Sequence, residues 1–348
     1  MGKTDLKEFL KKNESLSLSR FIFKCLYSRD SGYYQKKKIG SDFTTSPEVS
    51  QMFGECISIF FININKIFKI NTFCEFGPGN GTLARDLINT ISKFYDKDLN
   101  FFLHEKSELL KNTQNKILNK FKSKKNININ QFKNFKELRV PTFFICNEFF
   151  DSLPVNQFVL KKNKWFEKRV IFQNNKYKII DLPSSSYIPN NKSFHNGDII
   201  EISPLSNLYL KKIFRHIKIY GGGLLFFDYG PNLKKKIDTI QALYKSQKCD
   251  FLAFPHDSDI TYHIDFQQVK KIANNFNLLC HGPISQKKFL FFHGINERYM
   301  QLLEANKSQT IKKQLDSEFY RLVDPNGMGN LLKCMFITNQ KIKLDSFK

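Results

Sequence analysis

No stretch of this chain is long and apolar enough to cross a bilayer; even Ile57 to Ile64 is short and carries Asn63. No membrane insertion is therefore expected. The seven cysteines, at 25, 56, 74, 146, 249, 280 and 334, form no C-x-x-C pair and no zinc spacing. They read as reduced core residues, several in apolar contexts such as Thr72-Phe73-Cys74 and Phe144-Ile145-Cys146, and a cytoplasmic location is expected. The first residues carry Asp5, Glu8 and Glu14 without an uninterrupted apolar region, so neither a secretory signal nor an acid-poor transit peptide is expected. There is no arginine-rich tract and no internal repeat. The formal charge of +23 is carried by dispersed lysines. They accompany an excess of Asn, Ile and Phe, residues whose codons are rich in A and T. Coding bias accounts for that pattern, and a nucleic-acid partner is not favoured.

What is present, over 348 residues, is room for one large α/β domain with insertions or two modest domains. Apolar periodicity predicts a helix from Leu6 to Tyr27, ending at Ser31-Gly32-Tyr33-Tyr34. A polar loop over Gly40 to Pro47 precedes a second helix from Ser46 to Phe68. From Asn71 short apolar strands alternate with amphipathic helices, the texture of a doubly wound parallel sheet. Strands are expected at Thr72–Phe76, Asn100–Glu105, Ile127–Ile129, Thr142–Cys146 and Gly223–Asp228. After Pro154 the pattern has period two and predicts an antiparallel insertion with turns near Asn163 and Gln173-Asn174-Asn175. A helix follows from Pro204. Residues 230–264 read as a lid-like loop, Asp265 to Phe276 as a helix, Ile295 to Phe319 as one long polar helix, and Leu331 to Thr338 as a closing strand. The expected division is an N-terminal helical extension (1–69), a sheet domain (70–154 and 199–348) and the antiparallel insertion (155–198).

The chemistry concentrates in Glu75-Phe76-Gly77-Pro78-Gly79-Asn80-Gly81-Thr82. An acid ends an apolar strand, three glycines follow at alternate positions, and a helix begins. The glycines let a ligand touch the backbone, and the helix start leaves amides free for an anionic group. The spacing is G-x-G-x-G rather than G-x-G-x-x-G. Glu75 would oppose a phosphate but suits the ammonium of an amino acid, which favours S-adenosyl-L-methionine over a dinucleotide. Glu105, 28 positions after Gly77, is placed to accept from ribose hydroxyls. At the next strand exit, Asn147-Glu148-Phe149-Phe150-Asp151 should face the same crevice. A guanidinium acceptor, always protonated in water, wants carboxylates that hold it while a proton is lost, and Glu148 and Asp151 are the candidates; a helix cap is the bland alternative. In Asp42-Phe43-Thr44-Thr45-Ser46-Pro47-Glu48, capping by Ser46 with Glu48 in the first turn is a sufficient account. His256, Asp257, Asp259, His263 and Asp265 lack metal-ligand pairing along a helix, and no metal is expected.

With these segments in place, the sequence resembles the MidA family, bacterial relatives of the mitochondrial arginine methyltransferase that assists assembly of respiratory complex I. The resemblance runs from Gly32-Tyr33-Tyr34 through GSDFTTSPEVSQMFGE, EFGPGNGTL, NEFFDSLPVNQF, EISP, GGGLLFFDYG and DITYHIDF to RLVDPNGMGNLLK, in order and over nearly the whole chain. It implies a class I methyltransferase (Rossmann-like) sheet, S-adenosyl-L-methionine as cofactor, and an arginine of a complex I peripheral-arm subunit as acceptor. By matching motif it implies that Gly77, Gly79 and Gly81 line the cofactor, that Glu105 takes the ribose and that Thr45, Ser46 and Glu48 lie near the site; Pro78 and Asn147, in the same two segments, are further cofactor-binding candidates. Asn80 departs from the basic residue usual in that turn. Two rivals stand beside this reading: a nucleic-acid methyltransferase, and a non-catalytic assembly chaperone on the same fold. A homodimer is compatible with the sequence.

Overall fold

A computed structural model describes residues 6–12, 15–36, 43–95, 97–184, 186 and 193–348. They form two compact units. The larger comprises Lys38–Phe150, Leu210–Leu233 and Ile264–Lys348; the smaller comprises Met1–Lys37, Asp151–Tyr209 and Lys234–His263. This division differs from the expected one. The N-terminal residues group with the antiparallel insertion, and residues 234–263 join them.

Among the described residues of the larger unit, seven strands build one sheet: β1 Thr72–Phe76, β2 Leu99–His104, β3 Ile127–Gln131, β4 Thr142–Asn147, β5 Gly222–Tyr229, β6 Leu279–Ser285 and β7 Leu332–Thr338. Their spatial order is β3-β2-β1-β4-β5-β7-β6. β1 to β5 pair in parallel, while β7 runs antiparallel to β5 and β6. β1 and β4 are buried along their whole length, and their apolar residues follow from being covered on both faces. The chain winds outward from β1 to β3 and returns to β4 on the other side of β1. The switch point therefore lies between β1 and β4, and beyond their carboxyl ends is where such sheets bind ligands.

The helix Gln51–Phe68 packs beside the helix Thr82–Ile91, and phenylalanines do most of the filling. Phe61 meets Phe73 at 4.5 Å between centroids, and Phe73 stacks on Phe101 at 4.5 Å. Each such ring removed from water contributes about 1.5–3 kcal/mol. Asn65 then turns the chain into β1: its Nδ2 donates to Ile70 O at 2.7 Å, and Ile70 N donates to its Oδ1 at 2.6 Å.

The smaller unit carries an antiparallel sheet of Leu16–Ser17, Asn156–Lys161, Lys164–Gln173, Lys176–Pro183 and Ile199–Ile202. Its hairpins turn through Lys162-Asn163 and Asn174-Asn175, all with positive φ, the two-residue connection that matches strand twist. A second sheet joins Gln241–Tyr244, Gln247–Cys249 and Asp259–Thr261. Residues 230–264 are thus structured rather than a plain loop. The buried Glu201 carboxylate pairs with Lys234 Nζ at 2.7 Å and accepts from Thr239 N at 3.0 Å, which ties this segment down.

Three expected elements are redrawn. The first helix divides into Leu6–Lys12 and Leu18–Tyr27 around the short strand Leu16–Ser17. The second divides into Ser46–Val49 and Gln51–Phe68, because Ser50 is extended and caps the longer piece by accepting from Met52 N. The polar tail is two helices, Ile295–Ala305 and Gln309–Val323, with Ser308 capping the second. β6 has no counterpart in the sequence reading. Gly40, Ser41 and Asp42, the start of the expected polar loop, lie outside the described residues.

Candidate active site

Glu75 lies in β1, buried, and burial pushes its carboxyl up to about 8, with Asp86 and Glu105 adding repulsion. Its Oε2 has no hydrogen-bond partner among the described residues. The turn after it is built from backbone. Gly77 N donates to His104 O at 3.2 Å and Gly81 N to Pro78 O at 2.7 Å, while Gln114 Nε2 donates to Gly79 O at 2.8 Å. Gly81, at φ +87, caps the helix Thr82–Ile91 without a side-chain bond, so the first amides of that helix keep their donors for a ligand. Glu105 follows β2. Its Oε1 accepts from Lys106 N at 2.7 Å and Ser107 N at 2.8 Å, and burial raises its pKa. One oxygen thus shapes the turn after β2.

Asn147 ends β4, and its buried Oδ1 has no hydrogen-bond partner among the described residues. Glu148 follows in the left-handed region at φ +49, a conformation that costs a side-chain-bearing residue about 1–2 kcal/mol. It is held there from both sides. Glu148 N donates to Phe227 O at 2.9 Å, and Phe150 N donates to Oδ2 of the fully buried Asp228 at 2.9 Å. The Glu148 carboxylate accepts at Oε1 from Ser46 N at 3.2 Å and Asn147 Nδ2 at 3.1 Å.

The capping account of Ser46 does not survive. Thr45 is the cap residue of Ser46–Val49 and makes no side-chain cap bond; its carbonyl accepts from Glu48 N at 2.9 Å. Ser46 Oγ donates instead to Gln286 Oε1 at 2.9 Å. Glu48 Oε1 accepts from Thr82 Oγ1 at 2.6 Å and Asn80 Nδ2 at 3.2 Å. Asn80, the departure from the resembled family, therefore braces Glu48. A cleft of about 560 Å³ opens here, lined by Glu48, Asn80, Thr82 and Arg85 at one side and by Leu302, Leu315 and Glu318 at another.

The larger unit thus gathers Glu75, Gly77, Pro78, Gly79, Gly81, Glu105, Asn147, Glu148, Thr45, Ser46 and Glu48. Asp151 belongs to the smaller unit, where it is buried and its charge raises the pKa of Tyr34, after burial, Asp259 and Tyr27. Tyr34 Oη donates to Asp259 Oδ1 at 2.6 Å, Lys36 pairs with Asp257 at 3.0 Å, and Asp265 caps a helix through Gln267 N and Gln268 N. The acids once weighed as metal ligands are engaged in these contacts. Sequence reasoning missed Asp228 and Gln286. The Asp in FFDYG at a strand end was a readable signal for the first, and none marked the second.

The buried unpartnered acceptors at Glu75 and Asn147 require donors or a cation, as the ammonium and hydroxyls of S-adenosyl-L-methionine provide. The site therefore fits that group. Glu75 gives a first measurable consequence. Its folded pKa lies above the ordinary value of 4.5, so the folded state holds a proton that the unfolded chain loses. Stability is full below 4.5 and declines as pH rises to about 8. The cofactor-free protein is expected to melt at progressively lower temperature from pH 5 to 8, and Glu75→Gln should flatten that slope. An unchanged slope in the variant would show that Glu75 does not carry it.

Residues 56–284 match the family model described as "Putative S-adenosyl-L-methionine-dependent methyltransferase". The chain is 26% identical over 357 residues to the protein arginine methyltransferase NDUFAF7, mitochondrial, of Bos taurus, covering 92% of this chain and 79% of that protein. It is 28% identical over 359 residues to the Caenorhabditis elegans homologue of the same name, covering 93% and 84%. A crystal structure from Burkholderia thailandensis with S-adenosyl-homocysteine bound superposes with a TM-score of 0.86 at 20% identity, covering 98% of this chain and 93% of that one. At that identity the likeness is one of fold, and it bears out the class I methyltransferase sheet.

Proposed function

Because the chain belongs to this family of S-adenosyl-L-methionine-dependent methyltransferases, we propose that it methylates an arginine side chain of a protein. The observation that carries the proposal is the Glu148 carboxylate, held in a strained backbone conformation at the end of β4, with Ser46 N and Asn147 bonded to it. The names of the relatives, protein arginine methyltransferases, support the same acceptor. The resemblance to the MidA family narrows it to a peripheral-arm subunit of NADH dehydrogenase, dimethylated to aid assembly.

The bound cofactor supplies an activated methyl group on a sulfonium sulfur. Glu75, Asn147 and Glu105 would hold its donor groups, and the uncapped amides after Gly81 would take its carboxylate. Both bonds to Glu48 use Oε1, so this carboxylate braces the start of the helix after the glycine turn. Methyl transfer asks for an aligned nucleophile more than for a strong base. The Glu148 carboxylate holds the guanidinium through charge-assisted hydrogen bonds and takes the proton that the nitrogen loses as it gains carbon. Asp151, three positions later in sequence, is kept as a second candidate carboxylate on its sequence position alone.

Among the described residues no helix is long and apolar enough to cross a membrane, and all seven cysteines are free. We place the activity in a reducing compartment, the cytoplasm, although the named relatives are mitochondrial. Mass spectrometry of NADH dehydrogenase subunits from cells with and without the gene should show one dimethyl-arginine disappear. Unchanged modification would remove this acceptor. Filter binding to RNA across a salt series tests the nucleic-acid alternative, because phosphate contacts weaken steeply with salt.

A further inference from the structure

Ser46 and Gln286 are both fully buried, and they are bonded to each other across 240 positions of sequence. A buried amide is unfavourable unless both its ends are paired. Both ends of Gln286 are. Its Oε1 accepts from Ser46 Oγ at 2.9 Å, and its Nε2 donates to Leu322 O at 3.0 Å. Leu322 lies in the last turn of the helix Gln309–Val323, where carbonyls lack an intrahelical donor. Gln286 does not spend its side chain on its own helix, which Ser285 caps by accepting from Lys288 N. One end is thus fixed to the C-terminal helices and the other grips Ser46, whose N–H donates to Glu148 Oε1 at 3.2 Å.

Resting on the reading of Glu148 as the carboxylate that meets the acceptor, we infer that Gln286 is a positioning residue. It holds the Ser46 amide where that amide orients Glu148. The segment it steadies also carries Glu48, which bonds Thr82 beside the glycine turn. One buried glutamine therefore sets the segment that touches both the cofactor turn and the acceptor carboxylate.

Displacing a reacting group by about 1 Å costs on the order of 100-fold. Gln286→Leu is expected to lower kcat roughly 10- to 100-fold while the acceptor KM and the affinity for S-adenosyl-homocysteine stay within about threefold. In the Glu148→Gln background the same change should have no further effect on the residual rate, because it acts through Glu148. A general structural role would instead lower both backgrounds by the same factor. Hydrogen exchange supplies a readout free of activity: the Ser46 amide should lose protection in Gln286→Leu while amides in the middle of Gln51–Phe68 keep theirs. Retained protection at Ser46, or equal losses in both backgrounds, overturns the inference. If Gln286→Leu does not fold, Ser46→Ala removes the same hydroxyl bond and is read in the same way. Should the wild-type protein methylate no arginine, the proposed function fails, and exchange at Ser46 still decides the positioning claim.

Discussion

Glu148→Gln is expected to bind S-adenosyl-homocysteine within about twofold of wild type while methyl transfer to the protein acceptor falls about 10²- to 10⁴-fold. The two halves have separate origins. An amide oxygen at the same place still accepts from Ser46 N and Asn147 Nδ2, and the backbone bonds of this turn, Glu148 N to Phe227 O and Phe150 N to Asp228, do not involve the side chain. The turn should stay folded, and the glycine turn opposite should still hold the cofactor. What is lost is the negative charge that pairs with a guanidinium and accepts its proton. Isothermal titration for affinity and single-turnover transfer for chemistry separate the halves. A variant that transfers methyl groups at the wild-type rate would remove Glu148 from the chemistry. If assembly of the respiratory complex survived a catalytically dead variant undiminished, the chaperone reading would replace the catalytic one.

β1, β4 and β5 were readable because burial on both faces leaves little but apolar residues, as in Thr142 to Cys146. β6 was not readable, since Gly282-Pro283 interrupts its apolar pattern and only Ile284 of its seven residues is buried. The strand Leu16–Ser17 was hidden inside a helical periodicity, and only its pairing with Arg169 and Val170 makes it a strand. The strands between 241 and 261 are three or four residues long, too short for a period to show. At the site, the glycine turn and its acids announce themselves because their chemistry is local. The work of Ser46 is not local. A Ser-Pro-Glu at a helix start meets every requirement of a cap, and only the fold brings Gln286 and Glu148 to it.

Gly77→Ala is expected to weaken cofactor binding about 10- to 100-fold and to destabilise the protein by about 2–4 kcal/mol. Two costs combine. At φ +69 the residue sits in the left-handed region, worth about 1–2 kcal/mol against any side chain. The added Cβ would also lie 2.8 Å from Phe149 Cδ2, so ring or turn must move. The ring has little room, because Phe149 packs on Phe76 at 5.8 Å and on Phe150 at 5.3 Å between centroids. The turn is then the part that yields, and Gly77 N is bonded to His104 O just before Glu105. Shifting it disturbs the glycine turn and Glu105, the carboxylate proposed for the ribose, together. Gly294→Ala is the control: it has φ +85, caps a helix elsewhere in the larger unit, and its Cβ would come no nearer than 3.7 Å to the Glu297 carboxylate. It carries the backbone cost alone, so it should lose about 1–2 kcal/mol of stability and no cofactor affinity. Melting curves and titration with S-adenosyl-homocysteine on both variants make the comparison. Equal affinity in Gly77→Ala and wild type would place the cofactor away from this turn.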